Sequence, residues 1–151
     1  VVTGTATNLA DHDLADGTIT IPAGQTSASV AFNIVDDALY ENNETVILTL
    51  GTPTNAALGA TSVHTVSITN NDPVPSVAFT AASQSVAESV GTVTVTASLS
   101  AASGLTVTVP YTVSGTATNP ADHNLENGTI TIPAGSTSGD ITFNAVDDAL
   151  Y

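Results

Sequence analysis

Residues Val2 to Tyr40 reappear as Val113 to Tyr151, an offset of 111 positions, with 28 identities across the 40 aligned positions that begin at Val1. Self-similarity at a fixed period means that one structural unit recurs along the chain. Gly17 to Gly24 returns as Gly128 to Gly135 without a change, and Val35 to Tyr40 returns as Val146 to Tyr151. Neither copy is whole, so the chain reads as a window on a longer tandem array. Within each copy the apolar residues alternate: Val30, Phe32 and Ile34; Val93, Val95, Ala97 and Leu99; Leu105, Val107, Val109, Tyr111 and Val113; and the short pairs Ile19/Ile21 and Ile130/Ile132. Period-two alternation predicts half-buried strands. Turn chemistry separates them at Asp16-Gly17, Asn127-Gly128, Pro22-Ala23-Gly24 and Pro133-Ala134-Gly135. No segment carries a helical stripe, and short antiparallel strands at this spacing predict an all-β sandwich of about seven strands per 111-residue unit. The seam is Asn70-Asn71-Asp72-Pro73-Val74-Pro75, whose prolines stop a strand, giving residues 1–74 as the later part of one repeat and 75–151 as the earlier part of the next.

The charge balance narrows the function. Fourteen acidic residues stand against no Lys or Arg, for a net charge of −14. A basic nucleic-acid face and a polybasic membrane attachment are excluded. Without Lys there is no Lys-to-Asn isopeptide bond, and without Cys no disulfide or thiolate metal site. Bound ions are the remaining staple. No run of 18 apolar residues and no signal peptide is present, so the chain reads as an interior piece of its protein.

The densest oxygen-ligand stretch is Val35 to Thr45, with Asp36, Asp37, Glu41 and Glu44 beside Asn42 and Asn43. Carboxylates packed this closely without a basic neighbour repel one another, and a hard cation such as calcium relieves the repulsion. The bland reading is a solvated acidic turn.

Taken together, Ser85-Val86-Ala87-Glu88-Ser89-Val90-Gly91, the segment Gly115 to His123, Gly128 to Gly135, Val35-Asp36-Asp37 with Glu41 and Glu44, and Asn70-Asn71-Asp72 resemble the Calx-β repeat. The resemblance covers nearly the whole chain, in the expected order across the seam. It implies an immunoglobulin-like antiparallel β-sandwich with calcium ions at one tip, held by carboxylates of several loops and of the junction with the next domain. By that resemblance Glu88 stands at the first glutamate ligand. Asp11 and Asp122 stand at the aspartate after the Gly-x-Ala-x motif, Asp36, Asp37, Asp147 and Asp148 at the acidic pair, Glu41 at the following glutamate, and Asp72 at the closing acidic run. There are departures: His12 and His123 replace the aromatic beside that aspartate, and Asn70 and Asn71 replace carboxylates, which implies fewer ions or weaker binding. The first copy lacks a counterpart of Glu88, and the second lacks counterparts of Glu41 and Asp72.

Other polar residues read as ordinary. Glu44 begins a strand and is expected to be a solvated turn residue, and Asp13, Asp16, Glu126 and Asp140 to be surface charges. His12 and His123 are expected to pack or hydrogen-bond rather than to bind zinc, lacking clustered N/S partners, and His64 to be structural. Asn43-Glu44-Thr45 and Asn127-Gly128-Thr129 are glycosylation triplets of the sort that arise by chance. No nucleophile elbow is present, and carboxylate pairs accounted for by calcium need no acid/base role, so no enzyme is expected. The expectation is a calcium-binding structural repeat of a long extracellular adhesin or surface filament, with adjacent copies of the repeat as partners and any host-surface or matrix ligand elsewhere in the protein. The alternatives are a calcium-sensing regulatory domain of a membrane protein and a glycan- or protein-binding module; three Tyr, three Phe and no Trp argue against an aromatic sugar platform.

Overall fold

The computed structural model describes residues 1–148; Ala149, Leu150 and Tyr151, where the second copy of the acidic stretch continues, lie outside the described residues. The chain divides into two compact units, one of Val1–Ala38 with Asn42–Asn71 and one of Leu39–Glu41 with Asp72 onward. Every strand pairing is antiparallel, and no α-helix occurs among the described residues.

The first unit holds one sheet of strands β1 (Val2–Gly4), β2 (Glu44–Thr49) and β3 (Val63–Ile68), with β2 in the centre. Val46 faces Gly4 on one side and Val66 on the other and is fully buried. Leu14 and His12 supply the other buried side chains of this unit.

The second unit is a sandwich. One sheet has the order β4 (Val77–Phe79), β5 (Thr92–Leu99), β8 (Ser138–Asn144); the other pairs β6 (Val107–Tyr111) with β7 (Gly128–Ile132). The predicted alternation appears in the burial: Val93, Ala97 and Leu99 of β5, Ile130 and Ile132 of β7, and Ile141 of β8 are buried, while Thr129, Thr131 and Thr142 face solvent. Ala97, Leu99, Ile130, Ile132 and Ile141 form the core between the sheets, with Val95, Val107, Val109, Tyr111 and Leu125 packed against it. Burying a side chain such as Ile132 contributes roughly 1.5–3 kcal/mol. The sheets approach closely at Gly139, where a Cβ would lie 2.9 Å from both the Thr131 carbonyl oxygen and Ile130 Cγ2. Only a residue without a side chain lets β8 sit so close to β7.

In the first copy the same pattern does something else. Ile19, Ile21, Val30 and Phe32 belong to no strand, and Ile34 makes only a single bridge to His12. Ile19 and Ile21 are 42% and 53% exposed, against 3% and 0% for their repeat mates Ile130 and Ile132. The strand expectation fails at these residues for a physical reason. In the second unit Ile130 and Ile132 pair with Val109 and Val107 of β6, and Ile141 pairs with Val95 of β5. The first unit contains no segment equivalent to β5 or β6, and a ladder cannot form without a partner. The turn between the two segments forms regardless: Gln25 N–H donates to the Pro22 carbonyl at 2.9 Å and Ser136 N–H to that of Pro133 at 3.0 Å, with Gly24 and Gly135 at φ 82° and 76°. Those are type II turns, which need the positive φ that glycine adopts freely.

Ile132→Ala is expected to lower the unfolding free energy by about 2–5 kcal/mol, and Ile21→Ala at the repeat-equivalent position to change it by no more than about 0.5 kcal/mol. Urea unfolding followed by circular dichroism checks both, and equal losses at the two positions would contradict the burial contrast.

Candidate metal centre

One loop is built twice with the same bonds. In the first copy the Thr7 N–H donates to Asp11 Oδ2, the Asp11 N–H donates to the Thr7 carbonyl at 2.9 Å, and Asn8 Nδ2 donates to the Leu14 carbonyl. In the second, Thr118 donates through its N–H (2.6 Å) and its hydroxyl (2.9 Å) to Asp122 Oδ2, and Asn119 Nδ2 donates to the Leu125 carbonyl at 3.0 Å. Threonine and asparagine side chains closing short loops on their own backbone need no distant partner, which is why the loop survives where the strands do not. His12 and His123 complete it. Nδ1 of each ring accepts from the N–H two residues on, Leu14 and Leu125, at 3.1 Å, which places the proton of the neutral ring on Nε2. Each ring stands edge-on to a phenylalanine, Phe32 or Phe143, with centroids 6.2 Å apart. Among the described residues neither histidine joins a cluster of metal-ligating groups, and both do the packing and hydrogen-bonding work expected of them.

The same frame delivers the acidic pair. Val35 N–H donates to the Asp11 carbonyl and Val146 N–H to that of Asp122, each at 2.9 Å, so Asp36 and Asp147 each follow a residue bonded to the loop aspartate. In the first unit the Thr5 and Ala6 N–H groups donate to the Thr45 carbonyl at 3.0 and 3.1 Å, and Thr45 N–H returns to Thr5 Oγ1 at 3.0 Å. That stitch carries the loop over the start of β2. Asp11 and Glu44 consequently bring carboxylate oxygens within 4.8 Å of one another, both half-buried. Glu44 begins β2 as expected, yet the solvated-turn reading missed its meeting with Asp11. The available signal was Thr5 and Thr45, two hydrogen-bonding residues whose pairing across β1 and β2 fixes what lies beside them.

Other expected ligands are placed as follows. Asp36 and Asp37 are exposed, and Asp36 Oδ1 accepts from Asn71 Nδ2 at 3.0 Å, so the residue that replaces a family carboxylate hydrogen-bonds a carboxylate instead of adding a charge. Glu41 belongs to the second unit and lies against Gly104, where a Cβ would stand 2.3 Å from its Oε1. The neighbouring Tyr40 carbonyl accepts from Gly104 N–H at 3.0 Å and from the Ser103 hydroxyl at 3.1 Å. Asp72 is half-buried. Glu88 opens a single 3₁₀ turn, Glu88–Val90, just ahead of β5. Ala145 N–H donates to the Gly91 carbonyl at 2.8 Å, so the Glu88 turn, the Asp122 loop and the acidic pair Asp147–Asp148 all gather at one end of the second sandwich. Among the described residues of that unit, no three acidic or histidine side chains bring ligand atoms within 4.8 Å of one another.

Asp13 and Asp122 titrate below the ordinary carboxylate value of 3.8. The Asn33 backbone N–H, then the Asn33 side-chain amide, hold Asp13 down, with a smaller contribution from His12; the Thr118 backbone N–H and hydroxyl do the same for Asp122, with His123 adding to it. Asp13 is thus more than a surface charge: it clamps Asn33 through both oxygens, at 2.7 and 2.6 Å, where Asn124 makes a single equivalent bond to Asn144 N–H. Asp16 and Asn127 share a second such role, accepting from Val2 N–H and Val113 N–H.

The Calx-beta domain profile matches residues 1–72 and again 70–151. The chain belongs to the Calx-beta family. The immunoglobulin-like antiparallel sandwich of that family accords with the two packed sheets of the second unit. Among solved structures, the chain is similar to CBD12 from CALX1.2 (22% identity, TM-score 0.49) and to the calcium binding domain CBD12 of CALX1.1 (24% identity, TM-score 0.49). Each likeness covers 97% of this chain, which spans 60% of the length of either structure. No curated protein matches.

A carboxylate whose folded pKa is depressed contributes stability that is present above its ordinary value and is lost as the pH falls through the folded value. For Asp13 of this Calx-beta chain that loss lies below pH 3.8. Asn33→Ala removes the side-chain donor and keeps the backbone one, so the Asp13 pKa is expected to move part of the way back toward 3.8, read by carboxyl-carbon NMR titration. An unmoved value would show that the amide does not hold it.

Proposed function

We propose that this chain is a calcium-binding structural repeat, a spacer of a long extracellular adhesin or surface filament that the ion stiffens. The observation that carries the proposal is the approach of Asp11 and Glu44 to within 4.8 Å in a chain without a Lys or Arg. Two such charges repel by roughly 3 kcal/mol at an effective dielectric of about 20. With no Lys or Arg in the sequence, a bound cation is well suited to relieve that repulsion. The donors are all oxygens, on irregular loops and one strand end, which suits an ion that takes six to eight oxygen ligands in flexible geometry; magnesium demands a smaller octahedral site and sheds its water reluctantly. The ligands proposed for the first unit are Asp11, Asp36, Asp37 and Glu44, and those for the second are Glu41, Asp72, Glu88, Asp122, Asp147 and Asp148. The carboxylates serve the ion, and no catalytic role is assigned to them.

Support for the spacer comes from the near-identity of the two copies, from loops rebuilt with the same bonds in each, and from the occupancy that weak carboxylate sites reach at extracellular calcium levels. Adjacent copies of the repeat are the proposed partners, and 75–151 the proposed start of the next copy.

Calcium at 100 times its dissociation constant is expected to stabilise the folded chain by about 2.7 kcal/mol, read as a raised melting temperature, with magnesium doing less. Glu44→Gln and Asp11→Asn give a crossed signature, since each keeps an oxygen acceptor and removes a charge. With chelator present each variant should match or exceed the parent in stability, and with calcium each should fall below it. Variants that are equally affected in both conditions would rule out ligation at this pair. Small-angle scattering tests the spacer itself: a maximum dimension and flexibility that do not respond to calcium would remove the stiffening role.

A further inference from the structure

We infer that the loop between β5 and β6 is a seat for an extended tripeptide, that Leu39-Tyr40-Glu41 is its occupant, and that the seat holds it without help from an ion. Along Val35 to Asn43 the half-buried residues are these three, with Val35 to Ala38 and Asn42-Asn43 exposed on either side. Leu39–Glu41 belongs to the second unit, although its flanking residues Ala38 and Asn42 belong to the first.

The recognition is of main chain. The Tyr40 carbonyl accepts from Gly104 N–H at 3.0 Å and from the Ser103 hydroxyl at 3.1 Å, so both of its lone pairs are used. At that point the two segments run parallel, through a bridge between Tyr40 and Ser103. Ser103 is 2% exposed and is fixed from both sides. Its Oγ accepts from Leu105 N–H at 3.0 Å, which leaves the hydroxyl proton for Tyr40, and its carbonyl accepts from Gly135 N–H at 2.7 Å, which ties the seat to the type II turn between β7 and β8. Withdrawing the tripeptide would leave the buried Ser103 hydroxyl without its acceptor, a costly state. Gly104 sets the clearance. A Cβ there would lie 2.6 Å from Glu41 Cγ and 2.9 Å from Glu41 Cδ, and the three nearest atoms it would meet all belong to that side chain. Glycine is required by what crosses it. Every group in this set of bonds is neutral, so occupancy is independent of calcium. Leu39-Tyr40 returns as Leu150-Tyr151, so each copy of the repeat carries an occupant for the seat of the copy that follows. The seat is thus a latch between consecutive copies, separate from the stiffening by calcium.

The test uses the 151-residue chain in chelator, with chymotrypsin cleavage after Tyr40 identified by mass spectrometry and with residue-resolved amide hydrogen exchange. In the parent the Gly104 amide is expected to be protected and cleavage after Tyr40 to be slow. Gly104→Ala should speed that cleavage by about tenfold or more and deprotect the amide at 104, while the Gly135 amide keeps its protection. In a Glu41→Ala background, which lacks the atoms that the new methyl would meet, Gly104→Ala should change neither. The inference is overturned if Gly104→Ala leaves cleavage after Tyr40 as it was, or if its effect persists in the Glu41→Ala background. Loss of protection at Gly135 together with 104 overturns it as well, since the glycine would then serve the loop itself. So does parental protection that appears only with added calcium. A melting temperature indifferent to calcium would defeat the ion-binding reading and leave the seat in place, so the two failures are distinguishable.

Discussion

A β-strand has no hydrogen bonds of its own; its stability comes from the strand beside it and from side chains facing it across the sheet. Identical sequence in two settings makes the point within one chain. Gly128 to Ile132 forms β7 because Val107 to Tyr111 lies alongside and the β4-β5-β8 sheet closes over Ile130 and Ile132. Gly17 to Ile21, residue for residue the same, has neither neighbour in its unit and stays outside any strand. The hydrophobic pattern decides which side chains can be buried, and the supply of partners decides whether they are.

Features that close on themselves behave in the opposite way. The type II turns at Gly24 and Gly135, the Thr7/Asp11 and Thr118/Asp122 loops, and the two histidine rings against Phe32 and Phe143 are the same in both copies. Each is made within a short span or between one loop and the segment bearing its phenylalanine. Such elements keep the positions of the loop aspartates fixed while the surrounding ladder differs. The acidic chemistry of the chain is therefore held by local hydrogen bonding, and its apolar chemistry by long-range pairing.

This division explains what could be read in advance. Alternation in β5 to β7, the turn residues and the packing role of His12 and His123 were legible because each follows from local sequence or from a period. The failure at Ile19, Ile21 and Val30 has the same cause: periodicity reports amphipathicity and is silent on who covers the apolar face. Of the candidate site, the loop aspartates entered only through the family resemblance and the acidic pair Asp36–Asp37 through its charge density, whereas Glu44 was read as a turn residue, because its place beside Asp11 depends on the register of β1 against β2 and on the Thr5–Thr45 stitch. Asp13 was read as a charge on the surface, although its two bonds to Asn33 make it a brace.

The pair Asp16 and Asn127 has a bearing on chemical ageing. Both precede a glycine, and both accept a backbone N–H through Oδ1 from the strand or segment that begins their copy. An asparagine followed by glycine is the sequence most prone to lose its amide by attack of the next backbone nitrogen. At Asn127 the hydrolysed aspartate would still present the oxygen that the Val113 N–H requires, and the first copy already works with that side chain. Only the aspartate product keeps that bond, because the isoaspartate formed from the same cyclic imide runs the backbone through the very carbon that carries the acceptor.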